Sequence, residues 1–125
     1  MNKEEILSLD TSRKVFNYVV NHMKTQGCRS TKQYEPDECA YRGENGTSCA
    51  VGCLILDEEY EPDMEYRPLR DVIFSIPRLH QFEELLYSLQ QFHDYPGNWS
   101  QSNIHGTFSE HGLLVLKEIT SKYID

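Results

Sequence analysis

The spacing of apolar residues predicts three substantial helices, the first over residues 11–26. Its apolar positions recur every three or four residues, as expected when one face of a helix is buried. They are Val15, Phe16, Val19, Val20 and Met23. The polar residues at positions 10–12 (Asp-Thr-Ser) form a helix start signal, and Gly27 forms a stop signal.

The second half of the chain carries the other helical patterns. Pro68 suits the first turn of a short helix, and Pro77 opens a longer one that ends before Pro96, because proline disfavours a helical conformation in the preceding residue. The apolar face of this longer helix consists of Leu79, Phe82, Leu85, Leu86, Leu89, Phe92 and His93. Thr107 and Glu110 have the spacing of a capping box, which predicts the start of the last helix.

A hairpin and a uniformly apolar segment are predicted between these helices. Asn45-Gly46 is a strong hairpin-turn signal, and residues 39–42 and 47–49 flank it as two short strands. Residues 49–56, the apolar octapeptide, show no polar alternation and form either a buried strand or a short buried helix, of which their composition favours the helix. The expected fold is α+β, mainly α, with three substantial helices, two short helices and a small β-hairpin in a single domain over residues 1–125.

Charge is distributed very unevenly along the chain. The 125 residues have a formal net charge of −8, and residues 35–65 alone hold ten carboxylates and one base, Arg42. Direct binding of nucleic acid to that region is not expected, because contact with phosphates needs clustered Lys and Arg. No apolar run approaches the ~20 residues of a membrane span, and the first residues lack the apolar core of a secretory signal. We therefore expect a cytoplasmic protein with no membrane partner.

The carboxylates are densest in residues 57–66, which we call the acidic segment. A charged run of this kind is either a solvated loop or an electrostatic docking surface for a cationic protein, imitating the spaced charges of nucleic acid. In the second interpretation the partner-binding residues are Asp57, Glu58, Glu59, Tyr60, Glu61, Asp63, Glu65 and Tyr66.

The cysteine spacing argues against a structural metal site. The four cysteines are Cys28, Cys39, Cys49 and Cys53. Structural zinc ligands usually come as two close pairs, whereas only Cys49 and Cys53 are close here. We expect buried, reduced cysteines, no metal and no cofactor. A metal site completed by His93, His105 or His111, and a disulfide, are less favoured alternatives. A further alternative is a catalytic arrangement in which Cys49, at the start of a short helix, is the nucleophile, with His93 as base and Asp94 as the orienting acid.

A ligand pocket beside the octapeptide is a further alternative. Tyr41 and Arg42 precede the predicted turn, Trp99 follows Pro96-Gly97, and Cys53 lies in the octapeptide. An aromatic ring and a guanidinium lining one concavity would suit a planar ligand or a phosphate. The competing interpretation is structural: the aromatic rings close the core, and Arg42 neutralises nearby carboxylates.

Several short motifs that lie between positions 39 and 94 resemble, as a set, those of other proteins. The motifs are Tyr-Arg-Gly at 41–43, Gly46, Cys-Ala-Val-Gly-Cys-Leu-Ile at 49–55, Leu-Gln at 89–90 and His-Asp at 93–94. Together with the Tyr-Pro-Met character of the acidic segment, they resemble a family of small uncharacterised proteins encoded by bacteriophages and some bacterial genomes. The resemblance implies a phage or mobile-element origin and assigns no catalytic residue. Small acidic phage proteins are often stoichiometric binders of host factors, and that link is an analogy of class.

The leading hypothesis is a non-enzymatic interaction protein. Its acidic segment would bind, and inhibit, a basic host protein that handles nucleic acid or takes part in defence. The rival hypothesis is a small-ligand pocket protein or a Cys/His-dependent hydrolase built from the residues named above. The sequence leaves open whether the chain forms a homodimer.

Overall fold

The computed structural model describes residues 3–32, 35–100 and 107–124. These residues contain five helices and one antiparallel two-stranded hairpin. The elements are α1 (Lys3–Leu7), α2 (Ser12–Gln26), β1 (Thr31–Lys32), β2 (Glu35–Cys39), α3 (Leu69–Phe74), α4 (Glu83–Asp94) and α5 (Glu110–Tyr123). Short 3₁₀ turns lie at Glu44–Gly46, Gly52–Leu54, Pro62–Tyr66, Pro77–Phe82 and Pro96–Asn98. The predicted α+β, mainly α fold class is confirmed.

Helix α2 begins and ends where its sequence signals predict. The Thr11 side chain accepts a hydrogen bond from the Lys14 N–H (3.2 Å). Gly27 adopts a left-handed conformation (φ 78°), and its N–H donates to the carbonyl oxygen of Met23 (2.9 Å). Glycine adopts such a φ without the steric strain that a side chain brings, so it suits the end of a helix. The buried residues of α2 are Val15, Val19, Val20 and Met23.

Helix α4 packs against both α2 and α5, and its predicted apolar face is buried. The proline-initiated stretch begins as the 3₁₀ turn Pro77–Phe82 and continues as α4. Helix α5 does not start at the predicted capping box, because the N-cap is Ser109 and not Thr107. The Ser109 Oγ accepts a hydrogen bond from the Gly112 N–H (3.0 Å), whereas the Thr107 hydroxyl donates to the Lys24 carbonyl oxygen (3.2 Å).

The apolar octapeptide lies in the core, with every side chain buried. The helix that its composition favours is limited to one 3₁₀ turn, Gly52–Leu54. Side chains from other parts of the chain form hydrogen bonds with its backbone groups. Gln90 Oε1 accepts the Val51 N–H (3.1 Å), and an Arg78 Nη2–H donates to the Leu54 carbonyl oxygen (2.7 Å). Because these side chains satisfy buried backbone polar groups, the segment can be buried without forming a regular helix.

The Asn-Gly turn forms as predicted, but the strands on either side of it do not. Asn45 (φ 58°) and Gly46 (φ 76°) both adopt left-handed conformations, as a type I′ turn requires. Side chains bind the flanking backbone instead: a Gln26 amide oxygen accepts the Ser48 N–H (2.8 Å), and the Glu65 carboxylate accepts two N–H groups before the turn. The antiparallel hairpin lies earlier, where β1 pairs with β2 in a register that sets Thr31 opposite Cys39.

None of the described helices is both long enough and apolar enough to cross a membrane.

We expect Leu54→Ala to lower the free energy of unfolding by about 2–5 kcal/mol, because Leu54 is completely buried and its loss leaves a cavity. Leu114, which is 61% exposed, is the matched control, and Leu114→Ala should cost less than about 0.5 kcal/mol. Urea unfolding of the two variants measures both effects. Equal losses would show that the octapeptide does not contribute to the core as its burial implies.

Candidate functional site

Glu65 points inward and fixes the backbone that precedes the Asn-Gly turn. One carboxylate oxygen accepts the Tyr41 N–H (3.0 Å), and the other accepts the Arg42 N–H (3.0 Å) and the Tyr60 hydroxyl (2.6 Å). Burial and the hydrogen bond to Glu65 raise the pKa of Tyr60, so this phenol stays protonated as the donor. Glu65 and Tyr60 of the acidic segment are therefore used within the fold.

Glu59 is the second carboxylate of the acidic segment that the fold uses. Its Oε1 accepts the Leu56 N–H (2.9 Å) and forms an ion pair with the Arg78 guanidinium. The same Arg78 nitrogen donates to the Leu54 carbonyl oxygen (2.7 Å). Glu59 and Arg78 together attach the acidic segment to the end of the octapeptide.

Four carboxylates and one aromatic ring of the acidic segment remain exposed: Asp57, Glu58, Glu61, Asp63 and Tyr66. Tyr66 is 84% exposed, and the Lys32 ammonium lies 5.0 Å from the centre of its ring. The backbone here is not an extended loop, because residues 62–66 form a 3₁₀ turn with Met64 buried beneath it. The segment thus presents its outward carboxylates from a folded scaffold.

All four exposed carboxylates form surface ion pairs. The pairs are Asp57–Arg42 (2.6 Å), Glu58–Lys3 (2.5 Å), Asp63–Arg67 (2.5 Å) and the longer Glu61–Arg67 (4.0 Å). Lys3 and Arg67 lie outside residues 35–65, so folding brings bases to a region that is far more acidic in the sequence. Exposed pairs of this kind contribute about 0–1 kcal/mol each. These pairs therefore add little to the stability of the fold.

Arg42 has a structural role at the base of the acidic segment. Its guanidinium pairs with Asp57, donates to the Ile55 carbonyl oxygen (2.8 Å), and lies 4.8 Å from the centre of the Tyr60 ring. This arrangement agrees with the interpretation in which Arg42 neutralises neighbouring carboxylates.

The residues suggested for a ligand pocket are distributed over different places. Arg42 and Cys53 line a cavity of about 420 Å³ beside α2, whereas Tyr41 lines another, of about 280 Å³, beside Asp94. Trp99 is buried, and its indole N–H donates to the His93 carbonyl oxygen (3.0 Å). The structure therefore does not bring the set together around one ligand.

His93 is completely buried at the end of α4 and connects it to β1. Its Nε2 accepts the Ser30 N–H (2.9 Å), and its Nδ1 lies 2.9 Å from Asp94 Oδ1. Burial opposes a charge on the imidazole, but Asp94 and Cys39 favour one, and together these effects raise the pKa of His93. Protonated Nε2 would oppose the Ser30 N–H donor, so the observed contacts are those of the neutral ring with its proton on Nδ1.

The cysteine beside His93 and Asp94 is Cys39, which the sequence did not single out. Cys49, the suggested nucleophile, is completely buried, so a substrate has no path to it in this structure. Cys39 is partly exposed and accepts a hydrogen bond from Gln90 Nε2 (2.9 Å). Its contact with the Cys49 thiol, together with burial, raises the pKa of Cys39, which disfavours the reactive thiolate. These contacts do not favour Cys39 as the activated nucleophile of a Cys-His-Asp enzyme.

Among the residues that the structure describes, Cys39, His93 and Asp94 form the group that could hold a metal ion, because one ligand atom of each lies within 4.8 Å of the others. However, both His93 nitrogens already have partners, and Gln90 Nε2 donates to Cys39 Sγ and to Asp94 Oδ1 (3.0 Å). Metal binding would require these hydrogen bonds to rearrange. The contacts fit a metal-free hydrogen-bond network.

Comparison with protein-family models, with curated proteins and with solved structures gives no match. The assignment of a site therefore rests on the geometry of this chain.

Sequence reasoning missed the division of the acidic segment into inward and outward residues. Glu59 and Glu65 carry the same charge as their neighbours, and no local motif separates them. Their partners, the backbone groups of residues 41, 42 and 56, are brought near them only by the fold. For Cys39 a weak signal existed, because it lies at the start of the motif region that also contains His93-Asp94.

We expect Glu65→Gln to lower the free energy of unfolding by about 1.5–3 kcal/mol, because an amide lacks the charge and places a donor against a backbone N–H. Glu61→Gln is the matched control and should cost less than about 0.5 kcal/mol, because Glu61 is exposed and lies 4.0 Å from Arg67. Urea unfolding measures both. If Glu65→Gln were as stable as the control, the anchoring role of Glu65 would be rejected.

We also expect the purified protein to contain no stoichiometric zinc, because the Cys39 cluster is satisfied by hydrogen bonds. Elemental analysis of protein prepared without chelator tests this. The opposite result would be one zinc per chain that is lost in Cys39→Ser, and it would establish the cluster as a metal site.

Proposed function

We propose that the chain is a non-enzymatic interaction protein whose acidic segment binds a basic surface on another protein. The observation that carries the proposal is the division of the segment into inward and outward carboxylates. Glu59 and Glu65 attach it to backbone N–H groups of residues 41, 42 and 56, while Asp57, Glu58, Glu61 and Asp63 are exposed.

An acidic segment with an ordered backbone favours binding in two ways. First, the backbone is already ordered by the anchors and by the 3₁₀ turn Pro62–Tyr66, so less conformational entropy is lost on association. Second, clustered charges of one sign steer a cationic partner and disfavour anionic ones. The first effect raises the affinity, and the second acts on the rate and specificity of association.

Tyr66 supplies a contact that is not purely electrostatic. It is the most exposed of the large hydrophobic side chains in the described part of the chain, and a lysine already lies near its ring. Tyrosine is enriched among residues that dominate binding energy, and its face attracts lysine and arginine side chains. We propose a partner surface rich in Arg and Lys, as in proteins that handle nucleic acid, with the phage or mobile-element origin and cytoplasmic location expected from the sequence.

An enzymatic function has less support. Cys49 is buried, the pKa of Cys39 is raised, and neither nitrogen of His93 is free to act as a base. The interaction proposal requires none of these groups to react.

The test compares two variants that each lose four negative charges, a display variant altered in the acidic segment and a control variant altered outside it. The display variant carries Asp57→Asn, Glu58→Gln, Glu61→Gln and Asp63→Asn, and the control carries Asp71→Asn, Glu84→Gln, Glu110→Gln and Glu118→Gln. All eight positions are exposed. Glu59 is left unchanged because it anchors the segment. We expect the display variant to unfold within about 0.5 kcal/mol of the wild type, because exposed ion pairs stabilise the fold little.

Binding is measured by capture from the natural host, with partners identified by mass spectrometry at 0.1 M and 1 M salt. Wild type and control should recover the same basic protein at 0.1 M, and the display variant should not. Wild-type binding should be lost at 1 M, where the Debye length falls from about 10 Å to about 3 Å. If the display variant recovered the same partner with the same salt dependence, the acidic segment would be only a solvated loop.

A further inference from the structure

A small polar cavity lies directly beside the acidic segment. Its volume is about 280 Å³, which is below the range of about 300–1,000 Å³ that is typical of small-molecule sites. Glu65 and the adjacent Arg67 line it on the side of the acidic segment, and Gln90 and Asp94 line it from α4. A cavity of this size and position suits one side chain of a partner protein better than a complete small molecule.

Asp94 presents a carboxylate oxygen that is open to a ligand at this cavity. Its Oδ1 accepts hydrogen bonds from Gln90 Nε2 (3.0 Å) and from Nδ1 of the neutral His93 ring (2.9 Å). Its Oδ2 has no hydrogen-bond partner among the described residues, and the side chain is 43% exposed. Gln90 and His93 therefore hold the carboxylate in place, while one oxygen and the negative charge stay available.

Tyr41 adds a second polar group without a partner. The residue is only 7% exposed and lines the same cavity. Its N–H donates to Glu65 (3.0 Å), but its hydroxyl forms no hydrogen bond with any residue that the structure describes. The described side-chain atoms that are both unpaired and sealed from solvent all belong to other residues, so the Tyr41 hydroxyl is within reach of a ligand.

The charges around the cavity favour a cation. Burial raises the pKa of Tyr41, and the neighbouring cysteines and the Glu65 and Asp94 carboxylates raise it further, so the phenol is neutral and lies in a negative environment. Arg67 is a positive residue of the wall, but its guanidinium already pairs with Asp63 (2.5 Å). The cavity thus combines an unbalanced carboxylate with a hydroxyl that can accept a hydrogen bond.

We infer that this cavity binds the guanidinium group of an arginine on the partner protein, with N–H groups donating to Asp94 Oδ2 and to the Tyr41 hydroxyl. A guanidinium is planar, carries several N–H donors in a fixed fork and stacks on aromatic faces, and the rings of Tyr41 and Tyr87 are both in the wall. The inference rests on the proposed function and adds a specific contact to it. The exposed carboxylates would attract a basic surface, and this cavity would hold one arginine of that surface.

The first test compares three probes of the full-length protein at constant ionic strength: the N-acetyl, N′-methylamide forms of arginine, citrulline and lysine. Citrulline has nearly the shape of arginine but is neutral, and lysine has the charge without the planar fork. We expect blocked arginine to cause saturable NMR shifts of the Gln90 and Gln91 side-chain amides. Blocked citrulline should bind at least about tenfold more weakly, and blocked lysine at least about threefold more weakly. Equal affinities of blocked arginine and either other probe, or shifts confined to residues outside the cavity, would overturn the inference.

The second test removes the Tyr41 hydroxyl alone. Tyr41→Phe deletes a group that has no hydrogen bond within the described fold, so the urea midpoint should not change. Its affinity for blocked arginine should fall at least about fivefold, because the ligand loses an acceptor. Tyr95→Phe is the matched control, since Tyr95 is 55% exposed and lies outside this cavity, and it should bind like the wild type. Unchanged affinity in Tyr41→Phe would overturn the inference.

The third test removes the charge of Asp94. Asp94→Asn keeps an oxygen that can accept from Gln90 and His93, and its affinity for blocked arginine should fall at least about tenfold. Asp10→Asn removes the same charge from an exposed residue outside the cavity and should have little effect. Equal affinities of these two variants would also overturn the inference.

Failure of this inference and failure of the proposed function give different results. Tyr41→Phe keeps every carboxylate of the acidic segment, so it should weaken capture of the same host protein only if an arginine of that protein enters the cavity. Loss of capture in the display variant, without binding of blocked arginine to the wild type, would overturn the cavity inference alone. Unchanged capture by the display variant, with blocked arginine bound to the wild type, would overturn the proposed function and leave the cavity as a guanidinium site.

Discussion

The fold depends on one constraint: a buried stretch of backbone with little regular secondary structure must have its N–H and carbonyl groups satisfied by side chains. Residues 40–56 contain only two short 3₁₀ turns, yet the octapeptide lies at the centre of the core. Glu65, Gln90, Arg78 and Arg42 each bond to backbone groups of this stretch. These polar side chains connect the helices to the core as directly as the apolar contacts do.

This constraint explains why residues of one charge have opposite roles in the acidic segment. A carboxylate that accepts backbone N–H groups cannot at the same time be presented to a partner, so Glu65 and Glu59 support the surface that their neighbours form. The negative charge of the segment is also lower in the fold than in the sequence, because Lys3, Arg67 and Arg78 approach it from outside. The exposed part of the segment is therefore a small, ordered group of surface ion pairs.

The helices could be predicted from the sequence because their signals are local. Thr11 and Gly27 delimit α2, and a continuous apolar stripe identifies α4. The conformations of the predicted strands and of the octapeptide could not be predicted, because residues far away in the sequence determine them. Gln26 and Glu65 form hydrogen bonds with the backbone around the Asn-Gly turn, in competition with strand pairing. Gln90 and Arg78 replace helical hydrogen bonds in the octapeptide. The same limit applies to the cluster of Cys39, His93 and Asp94, because Cys39 and His93 are 54 positions apart in the sequence.

The close approach of α5 to the turn Pro96–Asn98 depends on a residue that has no side chain. A Cβ at Gly112 would lie 2.2 Å from the carbonyl oxygen of Asn98, so α5 can approach the Pro96–Asn98 turn this closely only with glycine there. Any larger residue at position 112 would act as a spacer between the helix and the turn. A single methyl group at this position would therefore force either the last helix or the turn to move.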